Sequence, residues 1–209
     1  CLIIKGEDFQ IDFNKTTGFL ERYSYDGTEY LASNTALKPN FWRAPTDNDM
    51  GAWLHIRNEV WRNPKLALKN INAQVSNELT EVKVEYEIND VSAKLNLTYL
   101  ISSDGRIIIN QKLITDSSTK VPDLFRFGMQ LVMPESFHEI EYYGRGPVEN
   151  YIDRNNSQFL GEYHQSVDEQ FYPYIRPQET GTKTDIRWWK QLDQAGNGLL
   201  FESDDPFSA

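Results

Sequence analysis

The sequence predicts an all-β protein built from antiparallel strands. Apolar and polar residues alternate with a period of two in several short runs, as they do in strands that have one buried and one wet face. Turns rich in Gly, Asp and Asn separate these runs at regular spacing, and the chain lacks an alternating strand–helix pattern. Together these features are typical of a β-sandwich.

The N-terminal part predicts a pair of strands joined by a turn. Phe9, Ile11 and Phe13 alternate with polar residues, and a Gly-containing turn follows at residues 14–18. Residues 19–25 then predict a returning strand, which ends at a second tight turn made by an Asp-Gly pair.

The clearest strand covers residues 81–88, in which Val, Tyr and Ile on one face alternate with Glu and Lys on the other. Residues 95–101 repeat this alternation, and a turn at residues 102–105 leads into a returning strand at 106–114. Alternating apolar residues at 125–131 predict one further strand.

Two stretches depart from this pattern. Residues 53–62 carry Trp and aliphatic side chains at roughly helical spacing and are followed by Pro64, which predicts one short helix. Residues 142–189 are rich in Pro, Gly, Tyr and Arg and show little periodicity. Long irregular loops of this kind are usually functional or interfacial.

Composition limits the possible classes of function. The 209 residues suffice for one sizeable core, and we expect a single domain over residues 1–209 that is cut at its C-terminal end, because both ends fall inside apolar runs. A net charge of −10 disfavours nucleic acid and an anionic membrane surface as partners. The single cysteine excludes a disulfide framework and a cysteine-based metal site.

In the first unusual stretch, residues 40–51, the spacing of Asp47, Asp49 and Gly51 partly matches that of a calcium-binding loop. Such a loop needs glycine at its sixth position and glutamate at its twelfth. Counted from Asp47, the glycine is fifth and the twelfth residue is Asn58, so the motif fails. An Asx-rich turn is the better interpretation.

The second stretch, residues 142–154, contains a Gly-x-Gly that Pro147 follows, which excludes a dinucleotide fingerprint. Its charged residues, Arg145, Glu149, Asp153 and Arg154, predict a buried ion-pair network that fixes loop geometry. The third stretch, residues 172–189, predicts a Pro-rich loop with an arginine–carboxylate clamp.

Three functional alternatives stay open, the third of them suggested only by an analogy of fold. Glu149 and Glu179 would form a glycosidase pair only at the required carboxyl separation, and a chain with 31 acidic residues offers many such pairs. A free carbohydrate-binding module would need exposed aromatic side chains in a groove. A mutarotase-like enzyme would need a Glu and a His that converge on a sugar, for which His138 and His164 are available.

The three stretches, taken in this order, resemble the small-chain domain of the large, lactose-splitting β-galactosidases. The match is carried by Arg-Ala-Pro-Thr-Asp-Asn-Asp-Met-Gly at residues 43–51, by Gly-Arg-Gly-Pro-Val-Glu-Asn-Tyr-Ile-Asp-Arg at 144–154, and by Pro-Tyr-Ile-Arg-Pro-Gln-Glu-Thr-Gly at 173–181 with Arg187 and Trp188. Two positions depart mildly from the family pattern, since Ile152 and Thr180 stand where Pro and Asn are frequent.

This resemblance implies an antiparallel super-sandwich similar to the galactose mutarotase-like fold. It also implies a parent enzyme that removes terminal β-linked galactose with retention, uses magnesium and sodium, and forms a homo-oligomer. The family's catalytic residues and metal ligands lie in a TIM barrel, so no catalytic residue, metal ligand or cofactor is carried over to this chain. The implied partners are that barrel and a galactoside. The cytoplasm and the periplasm both stay open as locations.

The implied role of the domain is to complete the sugar pocket of the barrel, without hydrolysing anything by itself. We expect the three motif loops to lie at one end of the sandwich and to face the barrel. The residues expected in these pocket-lining or barrel-facing loops are Arg43, Asp47, Asn48, Asp49, Gly51, Arg145, Glu149, Asn150, Arg176 and Glu179.

Overall fold

The computed structural model describes residues 1–77, 79–116 and 118–209. Its strands are β1 (Leu2–Lys5), β2 (Phe9–Phe13), β3 (Leu20–Tyr25), β4 (Thr28–Glu29), β5 (Lys38–Asn40), β6 (Leu66–Ser76), β7 (Leu79–Ile88), β8 (Ala93–Ser102), β9 (Ile107–Thr115), β10 (Gly128–Gln130), β11 (Glu139–Gly146), β12 (Phe159–Ser166), β13 (Ile186–Leu192) and β14 (Gly198–Phe207). The helices are α1 (Asp47–Gly51) and α2 (Leu54–Arg57), with 3₁₀ turns at Glu59–Trp61, Asn89–Val91, Asn155–Ser157 and Asp168–Gln170. Within the described ranges, no helix has the length and apolar character needed to cross a membrane.

The chain divides into two compact units. Unit 1 comprises Cys1–Arg43 and Leu54–Met133, and unit 2 comprises Ala44–Trp53 and Pro134–Ala209. The single domain expected over residues 1–209 stays a prediction.

Unit 1 is built from two four-stranded antiparallel sheets that share one apolar core. The sheets have the orders β1-β2-β3-β4 and β6-β7-β8-β9, and β5 pairs with β10 in a smaller ladder. Ile11 and Phe13 of the first sheet lie in the same buried cluster as Val84 and Leu97 of the second. Because alternate residues of each strand enter this core, the predicted all-β sandwich is confirmed.

Unit 2 contains a third antiparallel sheet with the order β12-β11-β13-β14. Its apolar cluster is centred on Ile140, Tyr142 and Ile186, which are buried. The prediction that residues 142–189 are irregular is therefore wrong in part, because most of β11, all of β12 and the start of β13 lie within them. The alternation is hard to see in β11 because glycines occupy two of its buried positions.

The helical segment also differs from the prediction of one helix near residues 53–62. Within that range the structure has α2 and the 3₁₀ turn at Glu59–Trp61 instead, and Ala52 and Trp53, the latter with a φ of +60°, separate α2 from the preceding α1. The predicted strand at 125–131 is reduced to β10. Phe125 packs edge-on against Trp42, with ring centroids 4.7 Å apart, so this ring serves a local aromatic contact and not a longer ladder.

Candidate functional site

The three motif stretches meet in unit 2. Nine of the ten site residues predicted from the sequence belong to this unit. The exception is Arg43, which belongs to unit 1, where its guanidinium lies 4.9 Å from the centroid of the Phe125 ring.

Helix α1 joins the first motif to the third. Thr46 and Asp49 form a capping box, in which the Asp49 backbone NH donates to Thr46 Oγ1 at 3.3 Å and the Thr46 backbone NH donates to Asp49 Oδ2 at 2.7 Å. The Asp47 backbone NH donates to the Pro177 carbonyl at 2.8 Å, and Arg176 Nη1 donates to Asp47 Oδ1 at 2.9 Å. The residues predicted as an Asx-rich turn thus form a capped helix, and the arginine–carboxylate clamp is made by Arg176 and Asp47.

A buried charge network joins the second motif to the third. Arg154 Nη2 donates to Glu149 Oε2 at 2.7 Å and also to the backbone carbonyl of Glu179. The Tyr174 hydroxyl donates to Glu149 Oε1, and the Arg154 guanidinium lies 5.5 Å from the centroid of the Tyr174 ring. Glu149 is buried, so the network fixes the two loops relative to each other.

Asn150 forms a second junction and is fully buried. Its side-chain Nδ2 donates to the carbonyls of Arg145 and Val148, at 2.9 and 3.1 Å, and its Oδ1 accepts from the backbone NH of Thr184 at 3.1 Å. The Asn150 backbone NH donates to the Thr182 carbonyl at 2.8 Å. One side chain thereby satisfies backbone groups on both sides of the loop.

Arg145 does not join the predicted network around Glu149. Arg145 Nε donates to Asp185 Oδ2, and Nη1 donates to the Gln158 carbonyl at 3.0 Å. Of the four charged residues predicted to interact in this stretch, Arg154 pairs with Glu149 and with Asp153, the latter at 3.1 Å. Arg145 instead ties the end of β11 to the residue before β13.

Glu149 and Glu179 are both buried and both hydrogen-bonded within the protein. Glu149 accepts from Arg154 and Tyr174, while Glu179 Oε1 accepts from Thr182 Oγ1 at 2.8 Å. In a glycosidase, both carboxyl groups of the catalytic pair must be accessible to the substrate. The contacts of these two therefore favour a structural role.

Lys183 is a buried charged residue that the sequence analysis missed. Its side chain is 1% exposed, Nζ donates to Gln170 Oε1 at 2.6 Å, and Nζ lies 5.9 Å from the centroid of the Tyr142 ring. Burial lowers the pKa of Lys183 to about 8, and the nearby negative charge of Glu149 opposes this shift. The only local signal was a lysine between two threonines, which does not distinguish a buried face from an exposed one.

Exposed apolar side chains lie within the motif loops and the segments beside them. Ile175, in the third motif, is fully exposed, and Ile152, in the second, is 79% exposed. Phe171, Tyr172 and Val148 are also exposed. We call these five residues, which lie in or beside the second and third motifs in the sequence, the apolar rim, and exposed apolar side chains of this kind are candidates for an interaction surface.

The two histidines considered for mutarotase-like chemistry meet at one carboxylate. Nε2 of His138 lies 3.4 Å from Glu139 Oε1, and Nε2 of His164 lies 3.2 Å from Glu139 Oε2. Glu139 begins β11 and the second motif begins five residues further along this strand, at Gly144, so roughly 16 Å of strand separates this cluster from the start of the motif. In the described parts of the chain, no group of three or more His, Cys, Asp or Glu residues is arranged to hold a metal ion.

Comparisons with known proteins agree with the motif pattern. A family model described as "Beta galactosidase small chain" matches residues 5–209. A β-galactosidase of Priestia megaterium is 38% identical over 203 residues, which cover 96% of this chain and 19% of that protein. One from Lactobacillus delbrueckii subsp. bulgaricus is 38% identical over 200 residues, covering 95% of this chain and 19% of that protein. One from Streptococcus thermophilus is 32% identical over 203 residues, which cover 95% of this chain and 19% of that protein.

This chain spans about a fifth of the length of these curated relatives. The three motifs that meet in unit 2 lie within residues 5–209, which the family model matches. The chain therefore belongs to the β-galactosidase small-chain family.

Proposed function

We propose that this chain is the non-catalytic domain of a longer β-galactosidase, whose motif loops close one side of the galactoside pocket of a separate catalytic barrel. The proposal rests on the family match and on the fraction of the relatives' length that the chain covers. In this account, the catalytic carboxylates, and any magnesium or sodium that the reaction uses, belong to the barrel.

The observation that carries the proposal is that the second and third motifs contain both exposed residues of the apolar rim and the buried charge network. Ile152 and Ile175 are exposed, while Glu149 of the second motif is buried and is bound by Arg154 of the same motif and Tyr174 of the third. A loop that is held by a buried network and also carries exposed apolar side chains is suited to docking, because little conformational entropy is lost on binding. The occupant we assign is the remainder of the same β-galactosidase chain.

In this account the charge network holds the loops of the pocket in position and takes no part in catalysis. Arg154 and Asn150 use their polar groups to hold neighbouring backbone and carboxylate groups in place. Rigid support of this kind keeps the residues that contact substrate in productive positions. Arg176 and Asp47 form an ion pair at the junction of the first and third motifs, with side chains 74% and 36% exposed, and we assign this pair to the face that meets the barrel.

The proposal is tested by separating the longer chain into two pieces and measuring their association by calorimetry. One piece is this chain, and the other is the preceding part of the same protein, expressed separately. We expect binding of the wild-type chain and a loss of at least tenfold in affinity for Ile175→Asp, because a charge would be buried at the interface.

The matched control is Val75→Asp, at an exposed apolar position of β6 in unit 1. We expect this control to bind as the wild type does. Equal affinities for wild type, Ile175→Asp and Val75→Asp would contradict the assignment of the apolar rim to this interface.

A further inference from the structure

Asn197 and Gly198 form the only asparagine–glycine pair in the 209 residues. They lie where the turn after β13 leads into β14, and Asn197 is exposed. The side-chain amide of an asparagine is open to attack by the backbone nitrogen of the next residue. Glycine hinders that nitrogen least because it has no Cβ. The pair therefore has the composition of a self-modifying site.

The fold requires glycine at residue 198. A Cβ added there would overlap the Gln191 carbonyl oxygen and would lie 2.9 Å from Leu192 Cα. Both atoms belong to the backbone of the neighbouring strand β13, which cannot move aside without disturbing the ladder between the two strands. An unhindered nitrogen after Asn197 is thus a consequence of how β13 and β14 pair.

The backbone NH of Gly198 points away from β13. The Asp193 backbone NH donates to the Asn197 carbonyl at 2.8 Å, so these two residues face each other across the turn. Hydrogen-bonded and non-hydrogen-bonded pairs alternate along an antiparallel ladder, and the next pair, Leu192 and Gly198, is of the second kind. Within the described residues β14 is the outermost strand of its sheet, so this NH lies on the unpaired side.

The Asp193 carboxylate holds Asn197 at two points. Oδ1 accepts from the Asn197 backbone NH at 2.9 Å, and Oδ2 accepts from the side-chain Nδ2 at 3.2 Å. The bond from the Asn197 backbone NH lowers the pKa of Asp193, which keeps this carboxylate ionised at neutral pH. Both bonds restrain the rotation that brings the side-chain carbon of Asn197 toward the Gly198 nitrogen.

We propose that Asn197 is a site of spontaneous deamidation, in which Gly198 supplies the attacking nitrogen and Asp193 restrains the reaction. The Gly198 nitrogen loses its proton to water and forms a bond to Asn197 Cγ. The bond from Cγ to the side-chain nitrogen breaks, which releases ammonia and leaves a cyclic imide. Water then opens the imide at either carbonyl, which gives aspartate or isoaspartate. The inference is independent of the proposed function.

Either product disturbs the turn between β13 and β14. Aspartate at residue 197 places a second carboxylate beside Asp193 and removes the Nδ2 donor, so two like charges meet where a hydrogen bond stood. Isoaspartate adds a carbon atom to the backbone, which displaces Gly198 from its pairing with Leu192. Deamidation should therefore loosen this edge of unit 2.

The test incubates the purified, folded protein in mildly alkaline buffer and follows its asparagines by peptide mapping with mass spectrometry. We expect Asn197 to gain the mass difference between an amide and a carboxyl group and to appear as both aspartate and isoaspartate. Asn34 is the control within the same digest, because it is also exposed but precedes Thr35, whose side chain hinders the attack. An Asn197 that keeps its amide as long as Asn34 does would overturn the inference.

The restraint by Asp193 is tested in two ways. Asp193→Ala should accelerate the loss of the Asn197 amide about tenfold, because two restraining hydrogen bonds are removed. The wild-type protein in urea, where the turn is lost, should show a similar acceleration without any substitution. A rate that is the same in folded wild type, in Asp193→Ala and in urea would overturn the part assigned to Asp193.

A variant that imitates one product measures the effect on the fold. Asn197→Asp should lower the midpoint of thermal unfolding by about 2–4 °C, the shift expected when one hydrogen bond is lost in a chain of this length. Asn34→Asp makes the same change of charge at an exposed position of unit 1 and should leave the midpoint unchanged. Equal midpoints for the two variants would overturn the contact assigned to Asn197 and Asp193.

Discussion

Arg154 and Glu149 form a buried ion pair with an Nη2 to Oε2 distance of 2.7 Å, and Arg154 also binds the backbone carbonyl of Glu179. The Glu149 side chain is 4% exposed and that of Arg154 is 28% exposed. Since the same guanidinium serves two motifs, this pair is the main link between the second and third loops.

Removing Glu149 should destabilise unit 2 strongly. Glu149→Ala leaves the Arg154 charge partly buried without its main partner, and breaking a buried pair from one side costs about 3 kcal/mol. The measurement is urea-induced unfolding. Asp153→Ala is the matched control, because Asp153 pairs with the same arginine but is exposed, and it should cost much less. Equal losses for the two variants would contradict the role assigned to Glu149.

Lys183 should make stability depend on pH in the alkaline range. Its pKa is lowered by burial to about 8, below the ordinary value of 10.5. Between these two values the unfolded chain binds the proton and the folded chain does not, so the free energy of unfolding contributed by this group rises as the pH increases. Below pH 8 both states are protonated, and the full cost of burying the charge remains.

The expected size of this contribution is on the order of 3 kcal/mol, since one pKa unit corresponds to about 1.4 kcal/mol. The Lys183→Met variant lacks the buried amino group and therefore lacks this pH-dependent contribution. Its free energy of unfolding should exceed that of the wild type by the largest amount near pH 7, and the difference should shrink toward pH 10. Lys94→Met, on the exposed face of β8, corrects for the loss of one positive charge from the chain. A difference between wild type and Lys183→Met that does not change with pH would refute the assignment.

Removing the hydroxyl group from each of two buried tyrosines should have different effects on the free energy of unfolding. Tyr86 Oη donates to the Thr17 carbonyl at 2.8 Å, whereas Tyr142 Oη is buried with no hydrogen-bond partner among residues 1–77, 79–116 and 118–209. Tyr86→Phe should lower the free energy of unfolding by about 1 kcal/mol, and Tyr142→Phe should leave it unchanged or raise it. Thermal unfolding of both variants checks this, and a loss for Tyr142→Phe equal to that for Tyr86→Phe would contradict the contacts described.

Gly144 allows β11 and the start of β13 to approach closely. A methyl group at this position would lie 2.4 Å from Ile186 Cδ1, with the Ile186 Cα at 3.1 Å and the Asp185 carbonyl at 3.3 Å. Gly144→Ala should therefore destabilise unit 2 by about 1–3 kcal/mol through overpacking. Gly128→Ala is the matched control, since a methyl group there would meet nothing within 4 Å. Urea unfolding should show no comparable loss for this control.

The same glycine explains why part of the fold escaped prediction. Strand β7 was predictable because Val82, Val84 and Tyr86 alternate with charged residues on a wet face. In β11, glycine occupies buried positions and Tyr occupies both faces, so the alternation loses its contrast. The prediction of irregular structure there was wrong for this reason.

The sequence predicted which residues belong to the candidate site, but not which of them contact each other. The motifs identified Glu149, Asn150 and Arg176, which the structure places in one unit. Arg145 pairs with Asp185, 40 residues away, and no local pattern indicates such a distant contact. The burial of Lys183 likewise depends on Gln170 and Tyr142, which are remote in sequence.

The most direct test of the central claim is hydrolysis of a chromogenic galactoside by three samples: this chain alone, the preceding part of the longer chain alone, and the two mixed. We predict a rate equal to the buffer blank for this chain and a large increase on mixing, which Ile175→Asp abolishes. Hydrolysis by this chain alone well above the blank, or full activity of the preceding part without it, would contradict the account.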